Sequence, residues 1–355
     1  MTSSDKPISG TSRRALLAMT AIPALGTLLP AGAAFAADTP ASSDLPDFAP
    51  IPPFAKGPAI GPEGYYVAPI RRNLYWVTDA AGYVAAFLTT RDGVVLFDAP
   101  PSMGGNLQRA IDSVTLPSGR PNRVTHLVYS HFHVDHIGAS GLFGKDVVRI
   151  GHTETRRVLR GLKDPRRPVP DVVFDDRYVL RVGGERVDLA YHGPNHTIDS
   201  IFVHFPHHRA LMLVDVVIPS WVPFAALNVS QDILGLVGVP ATALDYSFDT
   251  FIAGHVKLGS RREVSLHQQY MDDLTASAQH AIDTVDRTPF AQRYPGNQWA
   301  VTKTYFDALV AATAAPVVAK YTGVLAGADV YTDSNAFVLI ESLRLESGYG
   351  LSVHP

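Results

Sequence analysis

The 355-residue sequence predicts a mixed α/β domain followed by a mainly helical C-terminal stretch. Strand-length runs of apolar or alternating residues recur between residues 65 and 214. Stretches of helical period fall between some of these runs and take over after residue 261. Apolar content of 46% and charged content of 18% are ordinary for a globular protein, and the chain is long enough to bury a sizeable core. A formal net charge of −3 without a long basic run argues against a nucleic-acid binder. The absence of cysteine excludes disulfides and any thiolate metal site.

Residues 1–36 read as an address rather than as part of the fold. Ser12-Arg13-Arg14-Ala15-Leu16-Leu17 resembles a twin-arginine export signal, an apolar stretch over 15–29 follows, and Ala34-Phe35-Ala36 supplies a small-x-small cleavage pattern. No charge falls between Arg14 and Asp38, which disfavours an ordinary amphipathic helix, and the apolar stretch is too short for a comfortable membrane span. The expectation is export by the twin-arginine (Tat) machinery to the periplasm or beyond, with no stable membrane span. Residues 37–62, rich in Pro, Ala, Ser and Asp, read as a flexible leader. Residues 63–286 then form the main domain and 287–355 a helical extension.

Within the main domain, residues 65–70, 74–78 and 83–89 have strand character, and 94–97 is a buried strand ending in Asp98-Ala99-Pro100. Residues 106–114 have helical spacing. The run 126–129 is a short buried strand, and 138–143 opens a helix. A strand at 147–150 precedes an amphipathic helix at 153–162 and a basic, proline-broken surface loop at 163–169. Strands at 178–182 and 186–191 lead to His196. Residues 198–205 and 210–214 form a hairpin around Pro206-His207-His208-Arg209, whose histidines read as an exposed turn. The stretch 261–286 is helical, a break begins at Thr288, and helical stretches at 301–312 and 316–326 precede a last apolar run at 336–343.

Chemistry concentrates in the loop Ser130-His131-Phe132-His133-Val134-Asp135-His136-Ile137-Gly138, with three histidines and an aspartate in six positions. In extended chain alternate residues point the same way, so His131, His133 and Asp135 could share a face, while His136 would point elsewhere and suit a second metal. Imidazole and carboxylate are ligands that zinc accepts. A solvated polar loop with chance histidines is the alternative, and this density argues against it.

The loop matches the HxHxDH motif of the metallo-β-lactamase superfamily, and the resemblance continues in order through Gly193-Pro194-Asn195-His196-Thr197, Asp215 after an apolar strand, and Gly254-His255. It spans about residues 65–285 and implies an αββα sandwich, two mixed sheets with helices outside and metals at one sheet edge. It further implies that His131, His133 and His196 hold one metal ion, that Asp135, His136 and His255 hold a second, and that Asp215 bridges them. Two divalent ions are therefore expected, zinc by default from the ligands, with iron or manganese as alternatives. Asp98 would brace the metal loop.

A pair of such ions lowers the pKa of a shared water from about 15.7 toward neutrality, and Asp135 could both ligate and accept a hydrogen bond from the nucleophile. The implied activity is hydrolysis of a small-molecule ester, lactone or amide. The chain departs from the zinc β-lactamases it resembles in motif spelling: a cysteine stands there near the position of Asp215, and their carboxylate-binding lysine is absent from residues 216–220. A β-lactamase-like activity is the alternative, with a redox enzyme of the same fold and a non-catalytic metal-binding module further behind. No GxSxG elbow suggests a serine nucleophile. The apolar loop Ser220-Trp221-Val222-Pro223-Phe224 is a candidate pocket wall, and His192 a candidate ligand-orienting or substrate-contacting residue.

Overall fold

The computed structural model of the chain describes residues 45–349, so the export signal read at 1–36, the start of the leader and residues 350–355 lie outside the described residues. Of the described residues, 48–349 form one compact unit. Of the residues before it, 45–47 are described, and they are exposed without regular structure.

The first sheet joins β1 (Tyr65–Arg71), β2 (Leu74–Asp79), β3 (Val84–Thr89), β4 (Val94–Phe97), β5 (Val124–Val128), β6 (Val148–His152) and β7 (Val172–Phe174), in that spatial order. Its first four strands pair antiparallel and the rest parallel, because α1 (Asn106–Thr115) and α3 (Thr153–Leu162) supply crossovers. The second sheet runs β13-β12-β11-β10-β9-β8, from β8 (Arg177–Val182), β9 (Glu185–Ala190), β10 (Phe202–Phe205), β11 (Ala210–Met212), β12 (Thr250–Ile252) and β13 (Leu258–Ser260).

Strand alternation decides the layers. Val95 and Phe97 on β4 point between the sheets, where they meet Leu189, Val203, Phe205 and Met212. Leu96 on the same strand points outward to Leu107, Ala110 and Ile111 of α1. On the far side, Leu211 and Phe251 pack against α5 (Ile233–Leu244), α6 (Arg261–Thr284), α8 (Gln298–Tyr321) and α9 (Ala328–Leu345). The result is the four-layer αββα sandwich with a C-terminal helical region. The helices after residue 286 share its largest core, through Leu309, Val317, Leu339 and Ile340. Among the described residues no helix is long and apolar enough to cross a membrane.

Several local expectations change. The break at Thr288 is occupied by a short helix, α7 (Thr288–Arg293), entered through Pro289 at its first turn, where a missing N–H costs nothing. Residues 301–326 do not form two helices: α8 runs through Pro316, whose lost hydrogen bond is outweighed by the burial of Ala314, Val317 and Tyr321 around it. His208 is not exposed; its Nε2 bonds Asn73 Oδ1 at 2.9 Å beneath the hairpin turn, while His207 stays in solvent. The leader is not free throughout. Ala55 is buried, Trp221 Nε1 donates to its carbonyl at 2.8 Å, and Lys257 Nζ donates to that of Phe54 at 2.6 Å. The loop 163–169 is not all surface, because Arg167 is largely buried and donates to Phe132 O at 2.8 Å.

Candidate metal centre

The seven residues marked out in the sequence follow the ends of β5, β9, β11 and β12. His131 and His133 lie on the extended exit from β5, and His133 (φ −61°, ψ 141°) caps α2 (Val134–Ile137). The helix starts sooner than residue 138, so Asp135 sits on its first turn. The expectation that Asp135 shares a face with His131 and His133 is therefore overturned: helical winding turns it toward His136. Asp98 anchors the loop by accepting from Ser130 N at 2.8 Å, and Ala99 N donates to His136 O at 2.7 Å. Burial pushes the Asp98 carboxyl up to about 7, against the opposing pull of His136.

His196 is held by a buried polar knot. Asn195 Oδ1 accepts from His196 N at 2.7 Å, and the Asp199 carboxylate accepts from Thr197 Oγ1 and Thr155 Oγ1, each at 2.6 Å. Asp215 leaves β11 with φ +62°, a region aspartate tolerates better than most residues. Gly254 (φ +86°) precedes His255, and a Cβ there would stand 2.5 Å from Val214 Cγ1.

These loops gather two groups with Asp215 in common: His131, His133 and His196 with Asp215, and Asp135, His136 and His255 with Asp215. Asp215 Oδ2 lies 3.0 Å from His136 Nε2, 3.3 Å from His196 Nε2 and 3.6 Å from His131 Nε2, and Oδ1 lies 3.0 Å from His255 Nε2. His196 Nε2 and His133 Nδ1 face each other at 3.1 Å. Tetrahedral bonds of about 2.0–2.1 Å to a zinc ion place neighbouring ligand atoms roughly 3.3 Å apart, so the spacings suit a shared cation. His131 Nε2 is buried without a hydrogen-bond partner, a costly arrangement for a protein that gives it nothing to bind. On both counts the residues fit divalent ions.

The protonation pattern agrees. Burial holds the His131 imidazole well below its ordinary range, and burial together with His196 brings His133 down to about 4, so both are neutral donors. Burial would lower His136 as well, but the Asp215 carboxylate raises it to about 9. Burial likewise opposes ionisation of Asp215, yet His136 keeps it well below the usual carboxylate range. A cation held between these residues would compete with protonation of His136.

The two groups open into a cavity of about 490 Å³. His133, Asp135, His196, Asp215 and His255 form its polar floor, and Ile218, Trp221, Val222, Phe224, Val229 and Val256 its apolar wall, with Tyr331 contributed by α9. Among the described residues no Lys or Arg lines it. The Asp135 side chain is 40% exposed and faces this space. The loop 220–224 does form cavity wall, through Trp221, Val222 and Phe224. His192 does not reach the cavity: it bonds Tyr246 OH at 2.7 Å.

Sequence reading passed over Tyr83, Asn228, Val229 and Tyr331. Tyr83 bridges to His255 in the backbone and places its hydroxyl 3.4 Å from Asp135 Oδ2. Val229 ends α4 (Ala225–Val229), whose last four residues wind left-handed at roughly 1–2 kcal/mol each. Nothing in the local sequence announces such a turn; only Asn228 is of a type that adopts it readily.

A profile of the metallo-β-lactamase superfamily matches residues 80–230. The alpha subunit of a 2,4-dinitroanisole O-demethylase from a Nocardioides strain is 27% identical over 221 residues, 60% of this chain and 64% of that protein. A metallo-β-lactamase from Chryseobacterium indologenes is 28% identical over 151 residues, 40% of this chain and 61% of that protein. The chain thus spans less than two thirds of the length of these curated relatives. Among solved structures, a metallo-β-lactamase from Pontibacter korlensis superposes with a TM-score of 0.49 at 17% identity, covering 59% of this chain and 99% of that one.

Proposed function

Because this chain belongs to the metallo-β-lactamase superfamily, we propose that it is an exported, dinuclear metal-dependent hydrolase of small, neutral, hydrophobic esters, lactones or amides. The observation that carries the reading is the pairing of two ligand groups around Asp215 with a largely apolar cavity above them that no lysine or arginine among the described residues lines. His131, His133 and His196 would hold one ion, Asp135, His136 and His255 the other, with Asp215 common to both. When bound, such a pair supplies an activated water and polarises the substrate's carbonyl oxygen.

The chain's own residues do the rest. Asp135, exposed to the cavity, accepts the proton side of the attacking water and orients it. Asp199 and Arg167 keep the histidine loops fixed from behind. Trp221, Phe224 and Tyr331 receive the apolar part of the substrate and exclude water. Among the described residues no lysine or arginine lines this cavity to hold a β-lactam carboxylate, which counts against β-lactamase action.

A second reading has its own support. The aromatic wall suits a flat ring, and the relative that demethylates 2,4-dinitroanisole points to an activated aryl methyl ether. Addition of water to such an ether would release the phenol and methanol.

The test is metal analysis of the purified protein beside a panel of aryl esters, lactones, β-lactams and nitroaryl methyl ethers. Close to two ions per chain are expected, and chelation should abolish activity that zinc restores. Turnover that persists in metal-free protein would overturn the proposal. Export through the twin-arginine route is part of the same reading, supported by Arg13-Arg14 and the apolar stretch behind them. Replacement of both arginines by lysine should leave the protein in the cytoplasm.

A further inference from the structure

Four consecutive residues beside the cavity, of which Asn228 and Val229 line it, wind against the usual hand, and part of what holds them lies in the C-terminal extension. Ala226, Leu227, Asn228 and Val229 have φ of 52°, 53°, 62° and 53°. Alanine, leucine and valine rarely enter this region, and a run of them persists only where the surroundings over-determine it. Two buried asparagines do so. Asn228 accepts from Phe224 N at 2.7 Å and donates its Nδ2 to the backbone oxygen of Asp215 at 2.9 Å. Asn335, wholly buried on α9, accepts from Leu227 N at 2.7 Å and donates to Pro223 O at 3.0 Å. Ser334 Oγ takes Ala226 N at 3.2 Å. Both ends of each carboxamide are spent inside the protein, and Asn335 does not line the cavity.

We propose that Asn335 is a positioning residue for the metal centre: it locks the left-handed turn from α9, and the turn, through Asn228, fixes the backbone of Asp215. The connection runs from Asn335 to Leu227 and Pro223, from the turn to Asn228, and from Asn228 to the residue shared by both ligand groups. Leu227 is anchored in the core, so the turn cannot slide; what Asn335 removes is its freedom to unwind. Without the Asn335 acceptor the buried Leu227 N–H is orphaned, and relaxation toward right-handed geometry would draw the Asn228 amide away from Asp215. This rests on the metal-dependent reading above, but its test needs no substrate.

The experiment is a zinc titration with the cobalt(II) absorption spectrum, on full-length wild type, Asn335→Ala, Ala226→Gly and the double variant. Glycine enters the left-handed region without a Cβ penalty, so Ala226→Gly eases the strain that the clamp restrains. Asn335→Ala should weaken zinc binding about tenfold and alter the cobalt spectrum, the scale of losses when groups that orient ligands are removed. Ala226→Gly alone should match wild type, and in the double variant it should recover most of the lost affinity. A merely structural role would lower thermal stability while leaving zinc affinity and the cobalt spectrum unchanged, and that result overturns the proposal. So does a folded double variant with no recovery. If Asn335→Ala folds neither alone nor with Ala226→Gly, Asn335 serves folding and the proposal fails. A wild-type protein that binds zinc but turns over nothing in the panel would sink the hydrolase reading while still scoring the clamp.

Discussion

The floor and the wall of the cavity are built on opposite principles. The floor consists of imidazoles and carboxylates on short loops directly after strands, each loop pinned by buried polar contacts: Asp98 to Ser130 N, Arg167 to Phe132 O, and Asp199 to Thr197 and Thr155. The wall is apolar and assembled from distant pieces: the segment 218–229, Val256, and Tyr331 on α9. Trp221 in turn rests on the carbonyl of Ala55. The floor is pre-organised for one chemistry, whereas the wall side chains Trp221, Phe224 and Tyr331 can change without disturbing it; the turn that carries Asn228 is the part of the wall tied to Asp215. In a fold of this kind reaction type and substrate choice are therefore separable.

The largest effect should come from the residue both ligand groups share. Asp215→Ala should lose both ions and lower hydrolysis at least a thousandfold, roughly 4 kcal/mol in the barrier, as read by metal content and single-turnover rate. Asp215→Cys sharpens the point: a thiolate binds one zinc ion tightly at about 2.3 Å, so at least one ion should stay while turnover falls tenfold or more. Gain of penicillin hydrolysis with the original activity intact would contradict the role given to Asp215.

Next in size is the support under the floor. Arg167→Ala frees the carbonyl of Phe132 between two candidate ligands, and metal affinity should fall about ten- to a hundredfold. Unchanged affinity would mean that the loop is held by its own helix. A wall substitution should behave differently. Trp221→Ala should raise KM for aryl substrates by about tenfold with kcat little changed, the signature of binding lost equally from ground and transition states. A fall in kcat to match would break the division between floor and wall.

The smallest effect at neutral pH concerns the helices behind the wall. His267 on α6 is buried with both ring nitrogens unpartnered, and desolvation lowers it from 6.5 to about 4. Folded and unfolded states are both neutral there above pH 6.5, so stability is intact. As pH falls from there toward about 4 the unfolded chain takes up a proton that the folded chain refuses, and stability drops by on the order of 1 kcal/mol per pH unit. His267→Leu should flatten thermal unfolding across that window. An unchanged slope would assign the acid sensitivity to other groups.

The sequence by itself determined the floor and the sandwich beneath it. Ligand type, order and placement after apolar strands are local properties, so His131, His133, Asp135, His136, His196, Asp215 and His255 could be read one after another, and the resemblance that their order carries implied the sandwich. Even there the start of α2 at Val134, which decides which group Asp135 joins, was misplaced by a few residues. Beyond the apolar loop 220–224, which the sequence marked, the tertiary structure decided the wall. Tyr331 stands more than a hundred residues from Asp215, Arg167 looks like any surface arginine, and a left-handed turn at Ala226 and Leu227 defies the preferences of both residues. A ligand announces itself by its own chemistry. A cavity exists only once segments far apart in the chain have packed around the same empty space, and no local pattern records which side chains will meet there.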